Sequence, residues 1–571
     1  MAKLLLLGVF VVSCARHRST EEGNARQLVE HATSARAAGV SAAPKDAAAS
    51  DFALHNPHAY IPAQCYTKTR DESGRVHNPC YACHSASRAP NFVDDSAQQL
   101  GYSFPASARD NAFQNLFTDH SAATSALTDD AILHWVREDN YKTPQKTATI
   151  IPQRAGFAAD AYFHFDAHGY DRAPNDEYSG WRAFAYYPFP GVFMPTNGST
   201  DEVLIRLPEP FRENAAQHFD ETIYSINFAV LEALIKQEDV AIDAADERSV
   251  GVDLDGDGQL GTARRVRFRF DASGKTTLSW VGQAKHELEA GNTQLAAGLY
   301  PEGTEFLHSV RYLDVAGARV DMAARLKELR YARKIGFIDA TGSEQLALGE
   351  TSERKLQPDA LRALSIDRVK GAYTHLGWRY HGLIEAADGS LRAQSRDELA
   401  TCVGCHTGLG VTTDGTFALA RKLPSASFQR GWYDWSQRRL DALPEPKRAN
   451  GEFEYSFYLE TNGAGDDLRS NDEVLQKFFS AEGVPRPERI SELHGNVGVL
   501  LWPSAKRALA LDKAYRVLVA EQSFELGRDV TLGPIGNVFR SVTPDQPTFI
   551  SEPVRTTWER RRGQKKACVS P

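Results

Sequence analysis

The chain has 571 residues, 42% hydrophobic and 10% aromatic, which is enough for sizeable cores and too long for one ordinary domain; about two to four are expected. A formal charge of −9 is spread thinly and gives no electrostatic footprint for nucleic acid, and only a weak preference for a basic partner. The exception is the basic run Arg560-Arg561-Arg562-Gly563-Gln564-Lys565-Lys566, which reads as a solvated tail.

In chain order, Met1-Ala2-Lys3 and the apolar stretch Leu4 to Val12 form an export signal, too short to span a bilayer. Val11-Val12-Ser13-Cys14 then has the pattern of a bacterial lipobox, which makes Cys14 the expected lipidated first residue; the alternative is a small-residue cleavage site with a chance cysteine. Residues 15–50, rich in Ala, Ser, Arg and Glu, read as a flexible tether. Residues 51–150 form a first module whose clearest helix is Thr128 to Glu138, with Ile132, Trp135 and Val136 on one face.

Residues 151–320 are β-rich. Ala183 to Pro190 and Val203 to Leu207 are strand-like, and Arg265 to Phe270 with Thr276 to Val281 reads as a hairpin around Asp271-Ala272-Ser273-Gly274. One helix, Ile223 to Glu238, interrupts them. From 321 to 571 the pattern turns mainly helical. Ala318 to Lys334 carries Val320, Ala323, Leu326, Leu329 and Ala332 at helical spacing, and Ser504 opens a helix with Leu511, Ala514, Tyr515 and Leu518 on one face.

Two pentapeptides carry chemistry: Cys80-Tyr81-Ala82-Cys83-His84 and Cys402-Val403-Gly404-Cys405-His406. On a helical turn the thiols at i and i+3 and the imidazole at i+4 share a face. Thiols so placed add across the two vinyl groups of a haem, while the imidazole ligates iron. Zinc half-sites are the competing reading of Cys-x-x-Cys, but the adjacent His84 and His406, in a chain with an export signal, favour haem.

On these ten residues the chain resembles the c-type cytochromes. The resemblance implies two haem c groups, bound through Cys80, Cys83, Cys402 and Cys405, with His84 and His406 as proximal ligands. The fold expected from the whole pass is α+β, with two mainly helical haem modules flanking the central β-rich section.

The sixth ligands are open. After Met1 only Met194 and Met322 remain, both more readily read as packing, so histidine is favoured. His55, His58, His77, His120, His134 and His308 are candidates for the first iron, and His375, His381 and His494 for the second, with His308 and His375 ranked first. The leftover Cys65 and Cys568 would suit a disulfide in an oxidising compartment, or stay as two thiols.

Asp253, Asp255, Asp257 and Gln259 lie in a loop that matches the first half of an EF-hand, although position 12 is Arg264 instead of glutamate. A structural calcium ion, with Asp246 or Glu247 as an outside ligand, is weighed against an acidic turn. Functionally, the features suit an envelope electron carrier with redox-protein partners, exported to the periplasm or cell surface and lipid-anchored. The alternative is a di-haem oxidoreductase of peroxidase or oxygenase type, favoured by far more protein than a carrier needs.

Overall fold

The computed structural model describes residues 54–71, 74–82, 90–91, 99–142, 160–190, 195–270, 276–360, 364–367, 370–407, 414–448, 450–463 and 471–553. Its organising element is a nine-stranded antiparallel sheet. The strands are β1 (Tyr170–Arg172), β2 (Tyr178–Phe184), β3 (Thr200–Arg206), β6 (Glu305–Ala316), β7 (Arg319–Lys334), β8 (Ser365–Asp367), β9 (Gly371–Thr374), β10 (Trp378–Glu385) and β11 (Leu391–Ala393). The order is β1-β2-β3-β6-β7-β10-β9-β8, with β11 on β10. A separate pair, β4 (Val240–Asp246) and β5 (Thr262–Val266), forms a second small sheet.

This architecture corrects the expected fold. Two helical modules do not flank a β section; strands from the third quarter of the sequence, residues 305–393, complete one sheet with β1, β2 and β3 instead. The decisive error is Ala318 to Lys334, expected as a helix and found as β7, paired with β6 on one side and β10 on the other. Its Ala, Leu, Lys, Glu and Arg content favours helix locally, but the strand is buried on both faces over most of its length. Burial on both faces erases the two-residue alternation by which a strand is recognised. The informative signal was Gly317, whose φ of +63° lets the chain reverse between Ala316 and Arg319.

The hairpin expected at 265–281 is also corrected. β5 pairs back with β4, so the acidic loop sits between these two strands. The helices at Glu221–Lys236, Asp129–Arg137 and Ala505–Glu521 form where expected, capped by the side chains of Asp220, Thr128 and Ser504. Leu511, Ala514, Tyr515 and Leu518 are buried as the stripe requires.

Each face of the sheet has its own core. Leu204, Leu307, Leu329, Tyr331 and Leu383 pack with Trp181 on one side. On the other, Val203, Ile205, Phe306, Ala332 and Tyr380 join the Glu221–Lys236 helix and the Arg396–Thr407 helix in the largest core. The second Cys-x-x-Cys-His motif rides on that last helix.

Candidate functional site

The motif helix is fixed at its start by a reciprocal cap. Ser395 Oγ accepts from the Glu398 amide at 3.2 Å, and the Glu398 carboxylate accepts from the Ser395 amide at 2.6 Å. Arg392 clamps Glu398 at 2.7 and 2.8 Å, and Asp397 Oδ1 accepts from the Asn56 amide at 2.8 Å. Leu399, Ala400 and Val403 bury against the sheet. At Gly404 a β-carbon would lie 2.5 Å from the carbonyl oxygen of Tyr60, so the helix and the 56–60 segment meet backbone to backbone.

At the other end of the helix, His406 is held from several directions. Its Nδ1 hydrogen-bonds Thr416 Oγ1 at 2.8 Å. Its ring lies against Tyr380 and Phe417, at centroid separations of 4.8 and 5.0 Å, and Phe417 stacks on Phe306 at 4.5 Å. The returning segment is anchored by buried Asp414, which accepts from Lys334 Nζ at 2.5 Å, Trp378 Nε1 at 2.6 Å and the Tyr300 amide at 3.0 Å. Burial, with the charges of Arg330 and His308 adding to it, lowers the His406 pKa to about 3, so the imidazole is neutral. Burial likewise raises the Cys402 thiol, although Arg528 and Arg330 oppose it.

The sheet beneath His406 changes from apolar to polar within one row. Ile205, Phe306, Ala332 and Tyr380 stand in register across four strands; the next row is Val203, His308, Arg330 and Gly382. His308 Nε2 lies 2.7 Å from Asp201 Oδ2, which also accepts from the buried Tyr186 hydroxyl. Buried Glu328 accepts from Arg330 Nε at 3.0 Å and Arg528 Nη1 at 2.8 Å. Burial alone would raise that carboxyl, but Arg330 and Arg528 hold it down at about 2.

His308, expected beside the first motif, therefore lies with the second, and acts electrostatically on His406. His375 is exposed in the turn between β9 and β10. Cys80 is half-buried on the Pro79–Ala82 turn, whose Tyr81 and Ala82 pack on Tyr458. Cys14, Cys83, His84 and Cys568 lie outside the described residues, as does Met194, so the Cys65–Cys568 pairing does too; of Cys405 only the place in the helix is described.

Sequence reasoning missed Thr416, Tyr380, Phe417, Asp201, Glu328, Arg330 and Arg528. Apart from Thr416 and Phe417, which follow the motif, they are brought in by distant segments, and no local spacing marks them.

In the acidic loop, Glu247 joins Asp253 and Asp255, with one oxygen from each of the three within 4.8 Å of the others. The buried Glu247 carboxylate accepts from the amides of Leu254 and Gly261, both at 2.7 Å. Asp253 accepts from Gly256 at 2.8 Å and Gly258 at 2.9 Å. Asp257 and Gln259 are exposed and outside that group; Asp257 Oδ1 accepts from the Gln259 amide at 2.8 Å.

A family model described as "-like lipoprotein" matches residues 49–492, and the chain belongs to that lipoprotein family. It is an exported protein of the lipid-anchored class, and among the described residues no helix is long and apolar enough to cross a membrane. The chain is 31% identical over 529 residues to a protein of Aquifex aeolicus (strain VF5) named "Uncharacterized lipoprotein", covering 83% of this chain and 86% of the relative. No solved structure matches the chain.

Proposed function

We propose that this lipoprotein is a di-haem c-type cytochrome that carries electrons in the bacterial envelope, tethered through Cys14. One observation carries the reading. His406 is neutral, with Nδ1 committed to Thr416 and a ring fixed between Tyr380 and Phe417. With Nδ1–H donating to Thr416 Oγ1, Nε2 would be left with the lone pair a metal requires. The donor set suits a covalently held haem, with Cys402 and Cys405 providing thioether links and His406 an axial nitrogen; Cys80, Cys83 and His84 would do the same for a second haem. Bound there, haem would supply a one-electron redox centre.

For the sixth position at the second motif, His308 is the stronger candidate and His375 the weaker. A ligating imidazole usually donates its other N–H to a carboxylate, and Asp201 is so placed at 2.7 Å, itself steadied by Tyr186. Arg330 places positive charge in the same row, suited to the acidic edge of a porphyrin. The 253–259 loop is read as a structural calcium site, in which Glu247, Asp253 and Asp255 would supply carboxylate oxygens.

The same Asp201–His308 pair favours a second reading. A carrier needs no buried acid–base pair beside its iron, whereas a di-haem peroxidase or oxygenase needs one to move protons. Spectroscopy of the holoprotein separates the two. Two low-spin irons, with near-infrared magnetic circular dichroism that changes in His308→Met, support the carrier and the ligand assignment. One high-spin iron that turns over peroxide, with a ligand spectrum indifferent to His308→Met, supports the enzyme. Protein from a haem-maturing host without a pyridine haemochrome band would end both.

A further inference from the structure

Outside both motifs, three segments far apart in the sequence bring together one imidazole and two carboxylates. Asp397 stands in the first turn of the motif helix, and Glu525 in the Phe524–Leu526 turn. His55 opens the 55–60 segment, which meets that helix at Asp397 and Gly404. One ligand atom from each of the three lies within 4.8 Å of the other two. His55 Nδ1 is 3.7 Å from Glu525 Oε2. That is too long for a hydrogen bond, yet it suits two atoms each bound at about 2.1 Å to one cation.

Asn56 ties this cluster together. Its amide donates to Asp397 Oδ1 at 2.8 Å, and its Nδ2 donates to the Glu525 carbonyl at 3.1 Å. The second bond fixes which side-chain atom is the acceptor, because a flipped amide would set two oxygens face to face. Asn56 is 5% exposed, and its Oδ1 has no hydrogen-bond partner among the described residues. A bare buried carbonyl oxygen is costly, and a cation or a cation-held water relieves that cost.

Charge points the same way. Among the described residues the basic group paired with either carboxylate is His55, whose side chain is 75% exposed. Asp397 is 8% exposed, and its carboxylate keeps acceptor capacity after taking one amide hydrogen bond. A dication would neutralise the two carboxylates together. The 253–259 loop offers oxygen alone; here an imidazole nitrogen shifts the preference from calcium or magnesium to a first-row transition cation.

We propose that His55, Asp397 and Glu525 form a site for a divalent transition cation of the zinc type, with Asn56 Oδ1 as a neutral donor to the ion or its water. The ion is structural. It pins the 55–60 segment and the Phe524–Leu526 turn to the start of the motif helix, the end opposite His406. None of its ligands belongs to either Cys-x-x-Cys-His motif, so the site stands independently of the di-haem reading.

The test takes full-length protein freed of loose metal by a chelator, and follows zinc by calorimetry and by thermal unfolding. His55→Ala and Glu525→Gln remove one ligand each at side chains that solvent reaches. Glu247→Ala controls for the acidic loop, and zinc taken by the cysteine motifs is common to every protein compared. Each ligand variant should weaken one zinc-binding event by about tenfold or more, and Glu247→Ala should leave it intact. Zinc should raise the unfolding midpoint of wild type and Glu247→Ala above its effect on the two ligand variants. Equal zinc binding by wild type and both ligand variants overturns the site, as does a wild type that takes up no zinc. Calcium bound there as tightly as zinc overturns the assignment to a transition cation.

Discussion

Gly404 and Tyr60 meet so closely that a β-carbon on the glycine would stand 2.5 Å from the tyrosine's carbonyl oxygen. Neither partner can yield by rotating a side chain, because the obstacle is backbone. Gly404→Ala must push the motif helix off the 56–60 segment, at a cost of about 1–3 kcal/mol. Thermal unfolding should register it as a lowered midpoint. Gly495→Ala, where no atom lies within 4 Å, is the control and should be neutral or slightly stabilising. Equal midpoints for the two variants would contradict the close approach.

Glu328 neutralises two guanidiniums, and its substitution leaves them facing each other. Glu328→Gln should cost about 3 kcal/mol, the lower end for a broken buried pair because the Arg330 side chain is 28% exposed. The carboxyl is held below its ordinary range, at about 2. Its contribution is therefore complete above the usual carboxylate range and is lost as pH falls through about 2. Denaturant unfolding of wild type and Glu328→Gln should converge at strongly acid pH and separate at neutral pH. A constant gap across that range would refute the assignment.

These two sites show where the sequence was readable. The capped helices and the strand Thr200–Arg206, expected at Val203 to Leu207, announce themselves through local spacing and lie where local rules put them. The sheet did not. β7 carries the composition of a helix and acquires its strand identity by pairing with β6 across the Gly317 turn and with β10, which lies beyond any local window. The same sheet delivers His308, Arg330 and Glu328 to His406 from two strands, so the polar half of the site was hidden for the reason the fold was misread.

Asp512 on the Ala505–Glu521 helix is buried, with Oδ1 accepting from the Leu313 amide at 3.3 Å. Burial raises its pKa to about 8, against the opposing pull of Lys327. A raised carboxyl stabilises the fold in its protonated form, so this contribution is full below the ordinary carboxylate range and is lost as pH rises through about 8. Wild-type stability should fall over that interval by up to about 1.4 kcal/mol per pH unit for this proton. Asp512→Asn should flatten the slope and gain on wild type at pH 8 relative to pH 5. An unchanged pH profile would show that the group does not titrate as described.

Glu247 ties the acidic loop together through the Leu254 and Gly261 amides. Glu247→Ala should lower the melting temperature by removing acceptors from buried amides, about 1–3 kcal/mol. Added calcium should raise the wild-type melting temperature and chelator should lower it, while the variant responds to neither. A wild type indifferent to both would remove the calcium reading and leave the hydrogen-bonded loop intact.

The most direct measurement is the mass of the two motif peptides from protein matured in a host that attaches haem. A peptide containing Cys80 and Cys83, and another containing Cys402 and Cys405, should each carry one porphyrin through thioether bonds, and serine in place of either pair should remove only its own. Unmodified cysteines in both peptides, or a zinc ion released in their place, would contradict the account.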